Sequence, residues 1–127
     1  MIVVDSSALL AVVQWEPNRQ VIMERLAHAP RIAISAATLA ETLIVARRRN
    51  YGAAMASSLE QLGLEIAPVT EPFAERVADA YDRWGKGVHP ASLNFGDCFA
   101  YALAKDLGWP LLFVGNDFDK TDIVPAV

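Results

Sequence analysis

At 127 residues the chain has the length of one ordinary domain, and a composition that is 54% hydrophobic and 20% charged excludes an intrinsically disordered protein. The formal net charge of −4 argues against a protein that coats nucleic acid, which would carry a basic surface. No hydrophobic run reaches the roughly 18–20 residues that a membrane span needs, and the first residues lack the basic segment of a signal peptide. Cys98 is the only cysteine and lies in a helical pattern typical of a buried thiol. Together these features predict a cytoplasmic protein.

The hydrophobic pattern predicts strands that alternate with helices along the whole chain. The predicted strands are 2–4, 31–34, 64–69 and 111–114. The predicted helices are 7–13, one from 17 to 29, 36–49, one ending at 62, one from 71 to 84, and 95–107. Ser35 and Thr70 have the character of N-caps, while Gly63 and Gly108 stop helices.

The order of these elements determines the fold class. Helices between successive strands imply right-handed crossovers and a parallel sheet covered on both faces. We therefore expect one three-layer α/β/α domain over residues 1–127, with four to five strands. The helix after Thr70 is expected to bury one stripe of residues: Phe73, Val77, Ala80, Tyr81 and Trp84.

Four acidic residues lie where a strand stops or a helix begins. Asp5 and Asp117 follow the first and the fourth strand. Asp97 opens the last helix, and Glu41 lies early in the helix after Ser35. In a parallel α/β fold such positions share one edge of the sheet, where ligands bind. Carboxylates gathered without a basic partner repel one another unless a cation neutralises them, and oxygen ligands suit Mg²⁺ and Mn²⁺. The sequence therefore predicts a divalent-metal site that activates water and stabilises charge on a phosphodiester.

Each acid also has a local explanation. Asp5 is placed to cap the helix that follows it, and Asp97 to complete a capping box with Asn94. Asp117 follows a turn-forming Gly-Asn pair, and Glu41 fits a solvated helix face. One metal site explains all four positions together and is the favoured interpretation.

Other polar residues near these motifs are weaker candidates. The candidate RNA contacts are Lys86, His89 and Arg47. The first two lie in the loop that leads to the last helix, whereas the third belongs to a basic run at a helix end, where cations complement the helix dipole. Asp119 and Asp122 lie near enough in sequence to join the acids, but surface positions are the simpler interpretation for both.

Four segments, in order along the chain, resemble the PIN-domain ribonucleases, and specifically the VapC toxins of bacterial VapBC toxin–antitoxin pairs. These segments are Met1–Leu9, Ser35–Glu41, Asn94–Ala104 and Leu111–Phe118 followed by Thr121–Ile123. The resemblance implies a parallel sheet between two helical layers and an acidic pocket that binds Mg²⁺ or Mn²⁺. By match to the motifs, the pocket acids are Asp5, Glu41, Asp97 and Asp117. Ser6 matches the small hydroxyl residue that orients the first of these acids.

The resemblance also implies an activity and partners. Members hydrolyse single-stranded or loop RNA with metal-activated water and form no covalent enzyme intermediate. VapC toxins typically dimerise and are inhibited by a VapB antitoxin whose C-terminal segment covers the active site, which implies a toxin–antitoxin hetero-oligomer. One departure from the pattern is Gly115, because many PIN domains have Thr or Ser two residues before the fourth acid. This departure weakens the expected role of Asp117 and leaves open whether one metal ion binds or two.

Two alternative functions remain to be weighed. The first is a catalytically weak PIN-fold module that binds RNA or regulates, against which the retention of all four acids argues. The second is a receiver-type signalling domain, which is also α/β with acids at strand ends. Receivers usually carry paired acids early in the chain and a lysine after a late strand, whereas this chain has Asp-Ser-Ser at 5–7 and Gly-Asn-Asp at 115–117.

Overall fold

Four short parallel strands form the centre of the protein in the computed structural model, which describes residues 1–127. The strands are β1 (Ile2–Val4), β2 (Ile32–Ser35), β3 (Glu65–Ala67) and β4 (Leu111–Leu112). The helices are α1 (Ser6–Val13), α2 (Arg19–His28), α3 (Ala36–Arg48), α4 (Gly52–Leu62), α5 (Glu71–Trp84) and α6 (Phe95–Leu107). None of these helices has both the length and the hydrophobicity that crossing a bilayer requires.

The strands are ordered β3-β2-β1-β4, so the first strand lies in the middle of the sheet. Val3 pairs with Ala33 of β2 on one side and with Leu111 of β4 on the other. Beyond β4, the chain end adds a single parallel bridge between Leu111 and Pro125. The predicted parallel α/β class is confirmed, with four strands. Because all strands run in one direction, the segments that leave β1 and β4 emerge at the same edge.

Alternate strand residues point to opposite faces of the sheet, and hydrophobic residues on both faces pack against helices. One hydrophobic cluster joins Val3 and Leu111 to buried residues of α5 and α6. The other joins Ile2 and Val4 to buried residues of α1, α2, α3 and α4. The three-layer arrangement therefore follows from an uninterrupted hydrophobic run in the central strand.

Three details differ from the sequence-based predictions. The fourth strand ends at Leu112 rather than at residue 114, because the amide of Val114 donates to the Ser7 side chain instead of to a strand. The third strand is short and lies at the sheet edge, where Ile66 is 56% exposed. Tyr81 was predicted to lie in the buried stripe of α5 but is 37% exposed, because its hydroxyl reaches out to the carbonyl of Lys86.

Candidate active site

Asp5 is the acid most firmly built into the fold. Its amide donates to the carbonyl oxygen of Leu112 at 2.9 Å, which ties the end of β1 to β4. Its Oδ2 accepts from the Ser7 amide at 3.2 Å and from the Ser7 hydroxyl at 2.6 Å. The carboxylate therefore caps α1, as its local explanation predicted, yet the residue is only 4% exposed.

The two serines after Asp5 have different partners. Ser6 was expected to orient Asp5; its hydroxyl donates to Glu41 Oε1 at 2.8 Å. Ser7 orients Asp5 instead, and its oxygen also accepts from the Val114 amide at 3.0 Å. Sequence reasoning missed Ser7, although the second hydroxyl of the Ser-Ser pair was the available signal.

Glu41 lies in the second turn of α3 and faces α6 rather than open solvent. Its side chain is half-buried, and its carboxylate occupies the space beside Gly96 that any larger residue would need. A β-carbon at position 96 would clash with the Glu41 Oε2. Gly96 was not identified from sequence, because its importance lies in a contact between two helices and not in a local turn.

Asp97 is held at the amino terminus of α6 by the predicted capping box. Its amide donates to the Asn94 Oδ1 at 2.8 Å, and its Oδ2 accepts from the Asn94 amide at 3.0 Å. Burial raises the pKa of Asp97 to about 7, although the hydrogen bond from the Asn94 amide acts in the opposite direction. The negative charges of Asp5, Asp117 and Glu41 raise this pKa further. Asp97 is therefore within electrostatic range of the other three predicted acids.

Asp117 is the exposed member of the group, in the turn that follows β4. Gly115, where a hydroxyl residue was expected, has φ of 98°, a left-handed conformation that favours glycine. The local backbone thus explains the departure from the family pattern. Asp117 is the member of the set that faces a neighbouring polar cleft.

No basic side chain neutralises these acids. The ion pairs of the protein lie elsewhere, between Arg31 and Glu65, Arg76 and Asp106, Arg83 and Asp122, and Lys105 and Asp122. Burial also raises the pKa of Asp5, and the charge of Glu41 adds to that shift. Buried carboxylates with free oxygens and no cationic partner fit a bound cation, which would offset their repulsion.

The arrangement suits a hydrated cation better than a fully liganded one. No three His, Cys, Asp or Glu side chains are placed so that they could hold one ion together. Mg²⁺ typically keeps several waters and takes one or two carboxylates directly, so the donor set fits a Mg²⁺-like ion with mixed direct and water-mediated ligands.

The three candidate RNA contacts are separated from the acidic pocket or make other contacts. His89 packs edge-on against Trp84, with 4.8 Å between the ring centroids, and its Nδ1 accepts from the Ala91 amide at 3.0 Å, so the ring stabilises its own loop. Lys86 is exposed in the same loop. Arg47 is exposed in the last turn of α3, about 9 Å along the helix axis from Glu41.

Three further residues considered in the sequence analysis lie outside the group of four acids. Asp122 is part of a separate network, because it accepts from the hydroxyl of Tyr101 at 2.6 Å and from Lys105 Nζ at 3.1 Å. Asp119 lines the polar cleft beside Asp117. Cys98 is buried as predicted, and burial raises the pKa of its thiol to about 11, which disfavours the reactive thiolate.

The chain is similar in sequence to characterised protein families over nearly its full length. The model of the PIN domain family matches residues 2–124. VapC ribonuclease Mb2004c of Mycobacterium bovis is 43% identical over 126 residues, which cover 95% of this chain and 90% of the relative. Ribonuclease VapC of Mycolicibacterium smegmatis is 40% identical over 124 residues, which cover 95% of this chain and 96% of the relative.

Solved structures with the same fold agree with the match to the PIN domain family. VapC20 of Mycobacterium tuberculosis, described as a toxin that cleaves the sarcin–ricin loop, has a TM-score of 0.79 at 20% identity and covers 98% of this chain and 97% of its own. VapBC2 of Rickettsia felis, solved with a promoter DNA fragment, has a TM-score of 0.72 at 19% identity and covers 98% and 96%. At these identities the likeness shows the shared fold.

Proposed function

The chain belongs to the PIN-domain family, and on that premise we propose that it is a VapC-type toxin that hydrolyses RNA with a divalent cation held by Asp5, Glu41, Asp97 and Asp117. The observation that carries this proposal is the set of acids from four separate segments, gathered at one sheet edge without a basic partner. The relatives named as VapC ribonucleases supply the reaction class.

The residues of the pocket have distinct roles in this proposal. Asp5 and Asp97, the two buried acids, would bind the cation directly. Glu41, held by Ser6, would contact the cation through a water molecule, and the exposed Asp117 would complete the pocket on the substrate side. With Mg²⁺ or Mn²⁺ held by these acids, the site would gain an activated water and a positive charge that stabilises the phosphodiester during cleavage. Because the pKa of Asp97 is raised to about 7, this carboxyl is partly protonated near neutral pH without a cation, and cation binding would favour its ionised form.

RNA cleavage by single-site variants tests this function. We expect purified protein to cleave single-stranded RNA with Mg²⁺ or Mn²⁺, and Asp5→Asn or Asp97→Asn to abolish cleavage while circular dichroism shows an intact fold. Asp79→Asn is the matched control, because Asp79 is exposed on α5 and has the same change in charge. Undiminished cleavage by Asp97→Asn, or equal activity in excess chelator, would refute the mechanism.

One observation favours the alternative of a catalytically weak RNA-binding module. No three of the acids are placed so that they could hold one ion together, so a tightly bound catalytic cation is not preformed. Measuring RNA binding by the same two proteins decides between the two functions, since a binding module would retain RNA affinity in wild type and in Asp97→Asn while neither protein cleaves.

The proposed partners are a VapB-type antitoxin and a second copy of the chain. A toxin–antitoxin complex and a VapBC complex are among the solved structures that share the fold. Co-expression with the product of an adjacent small open reading frame, followed by light scattering, tests both. Loss of RNA cleavage in the complex is the expected result, and a monomeric toxin unaffected by that product would contradict it.

A further inference from the structure

A polar cleft of about 600 Å³ opens directly beside the acidic pocket. The residues that line it are Pro90, Ala91, Ser92, Asn116, Asp117, Asp119 and Lys120. Asp117 lines the cleft and is also one of the four predicted pocket acids, so the cleft borders the candidate site. Its volume falls within the range of about 300–1,000 Å³ that is typical of small-molecule sites.

Both walls of the polar cleft are fixed by contacts with the core. On one side, the amide of buried Leu93 donates to the Trp84 carbonyl at 3.0 Å, and the Ala91 amide donates to the ring of His89. On the other side, Phe118 is 2% exposed and anchors the turn between the cleft residues. A site whose walls are already ordered binds a ligand without the entropic cost of arranging them.

The polar side chains of the cleft are free to bind a ligand. Ser92, Asn116, Asp119 and Lys120 make no side-chain hydrogen bond or ion pair within the protein, whereas charges such as Arg76 and Asp106 are paired. They present one cation, one carboxylate that only accepts, and an amide and a hydroxyl that both donate and accept. A nucleotide has the complementary groups, a phosphate and a base edge with N–H donors and carbonyl acceptors.

We propose that the polar cleft is a base-reading subsite, which holds an unpaired nucleotide of the RNA next to the phosphate that is cleaved. This inference rests on the endoribonuclease function proposed above. Lys120 contacts the phosphate of this nucleotide, and Asp119 accepts from the Watson–Crick edge of its base. Guanine is favoured because it presents two adjacent N–H donors there. The base must be unpaired, since pairing would occupy that edge.

The overall charge of the protein supports recognition at a specific subsite. A net charge of −4 gives little general attraction for the RNA backbone, so affinity has to come from local contacts. Lys120 is the one cation in the cleft.

Cleavage of a random-sequence pool of single-stranded RNA, with sequencing of the cut ends, tests this inference. Wild type with Mg²⁺ or Mn²⁺ is expected to show a preference for guanine at one fixed position beside the cut. Asp119→Asn is expected to reduce that preference by about 10-fold, because the amide no longer offers two acceptors to the base. Lys120→Ala is expected to raise KM several-fold on every substrate and to leave the base preference unchanged, as loss of a phosphate contact should.

Matched controls separate a subsite from a general change in charge. Asp79→Asn carries the same charge change as Asp119→Asn, and Arg83→Ala the same as Lys120→Ala; both control residues are exposed and lie outside the cleft. The inference is overturned if the cleft variants match their controls in KM and base preference, or if no guanine preference exists in wild type. Absence of RNA cleavage by wild type would instead refute the proposed function itself and the subsite with it.

Discussion

Ser6 and Ser7 are adjacent in the sequence, yet they position carboxylates that come from different elements. Successive residues at the start of a helix point about 100° apart, so one hydroxyl faces α3 and the other faces the end of β4. Ser6 therefore reaches Glu41, while Ser7 bridges Asp5 and the Val114 amide. The short polar segment after β1 thus holds two acids at once.

Removal of the Ser7 hydroxyl should weaken both the fold and the site. Ser7→Ala leaves the Val114 amide without its acceptor and Asp5 without its 2.6 Å hydrogen bond. We expect the free energy of unfolding to fall by about 1–3 kcal/mol. Affinity for Mg²⁺, measured by calorimetry, should fall about 10–100-fold, as is usual when a residue that orients a metal ligand is lost. Ser57→Ala, on the exposed face of α4, is the control; equal metal affinity in both variants would contradict the role of Ser7.

Gly96 is expected to matter for activity and not for stability. In Gly96→Ala the new methyl group meets the Glu41 carboxylate, which has to move. Alanine is a better helix former than glycine by about 1 kcal/mol, so α6 itself should not be weakened. We expect cleavage to fall at least about 10-fold with little change in melting temperature, because small displacements of a site residue have effects of that order.

A second glycine supplies the comparison for this variant. Gly52→Ala places a methyl group 3.2 Å from Arg47 Cγ, away from the acids. It should retain full activity. Normal cleavage by Gly96→Ala would show that the position of Glu41 is not critical.

At the level of the elements, two helices begin at the acidic pocket. Asp5 caps α1 and Asp97 completes the first turn of α6, so the amide groups and partial positive charges of two helix ends face the acids. Capping and the proposed metal binding therefore use the same residues. The local explanations of Asp5 and Asp97 are confirmed, and they are compatible with the site.

Two variants distinguish an effect of the α6 N-cap on activity from the general effect of an N-cap on stability. Asn94→Ala and Thr70→Ala each remove a side chain that accepts from a backbone amide at the start of a helix, α6 and α5 respectively. Both should lower the free energy of unfolding by about 1 kcal/mol in chemical denaturation. Only Asn94→Ala should also lower kcat, since it removes half of the capping box that holds Asp97. Equal activity in the two variants would mean that this capping box is purely structural.

At the scale of the whole molecule, the fold places uncompensated negative charge at one edge of the sheet. The pKa of Asp97 is raised from 3.8 to about 7, and that of Asp5 is also raised. Between about pH 4 and pH 7 the folded protein therefore holds protons that the unfolded chain releases. The contribution of these two carboxyl groups to the stability of the ion-free protein therefore falls as pH rises through that window. A bound cation replaces the proton and removes this loss.

The stabilisation by Mg²⁺ should consequently depend on pH. We expect the increase in melting temperature on adding Mg²⁺ to be larger at pH 8 than at pH 5, measured by differential scanning calorimetry. Asp97→Asn should flatten this dependence and make the ion-free protein more stable than wild type at pH 8, because the variant buries no charge there. The same stabilisation by Mg²⁺ at both pH values would contradict a cation at these acids.

Much of the architecture follows from local sequence patterns. The strand-helix alternation, the caps at Ser35 and Thr70 and the stops at Gly63 and Gly108 depend on residues at most four positions apart, and they are as predicted. These patterns also place the four acids at strand ends and helix starts. That they act as a metal site stays a prediction.

The tertiary structure alone decided which side chains meet. The Ser6–Glu41 bond spans 35 positions and the Val114–Ser7 bond spans 107, so no local pattern encodes either one. The fit of Gly96 against Glu41, the early end of β4 and the polar cleft likewise arise where separate segments pack. Helix and strand periodicity depends on neighbours within about one turn, whereas the partner of each hydroxyl and carboxylate is fixed by how the layers pack on the sheet.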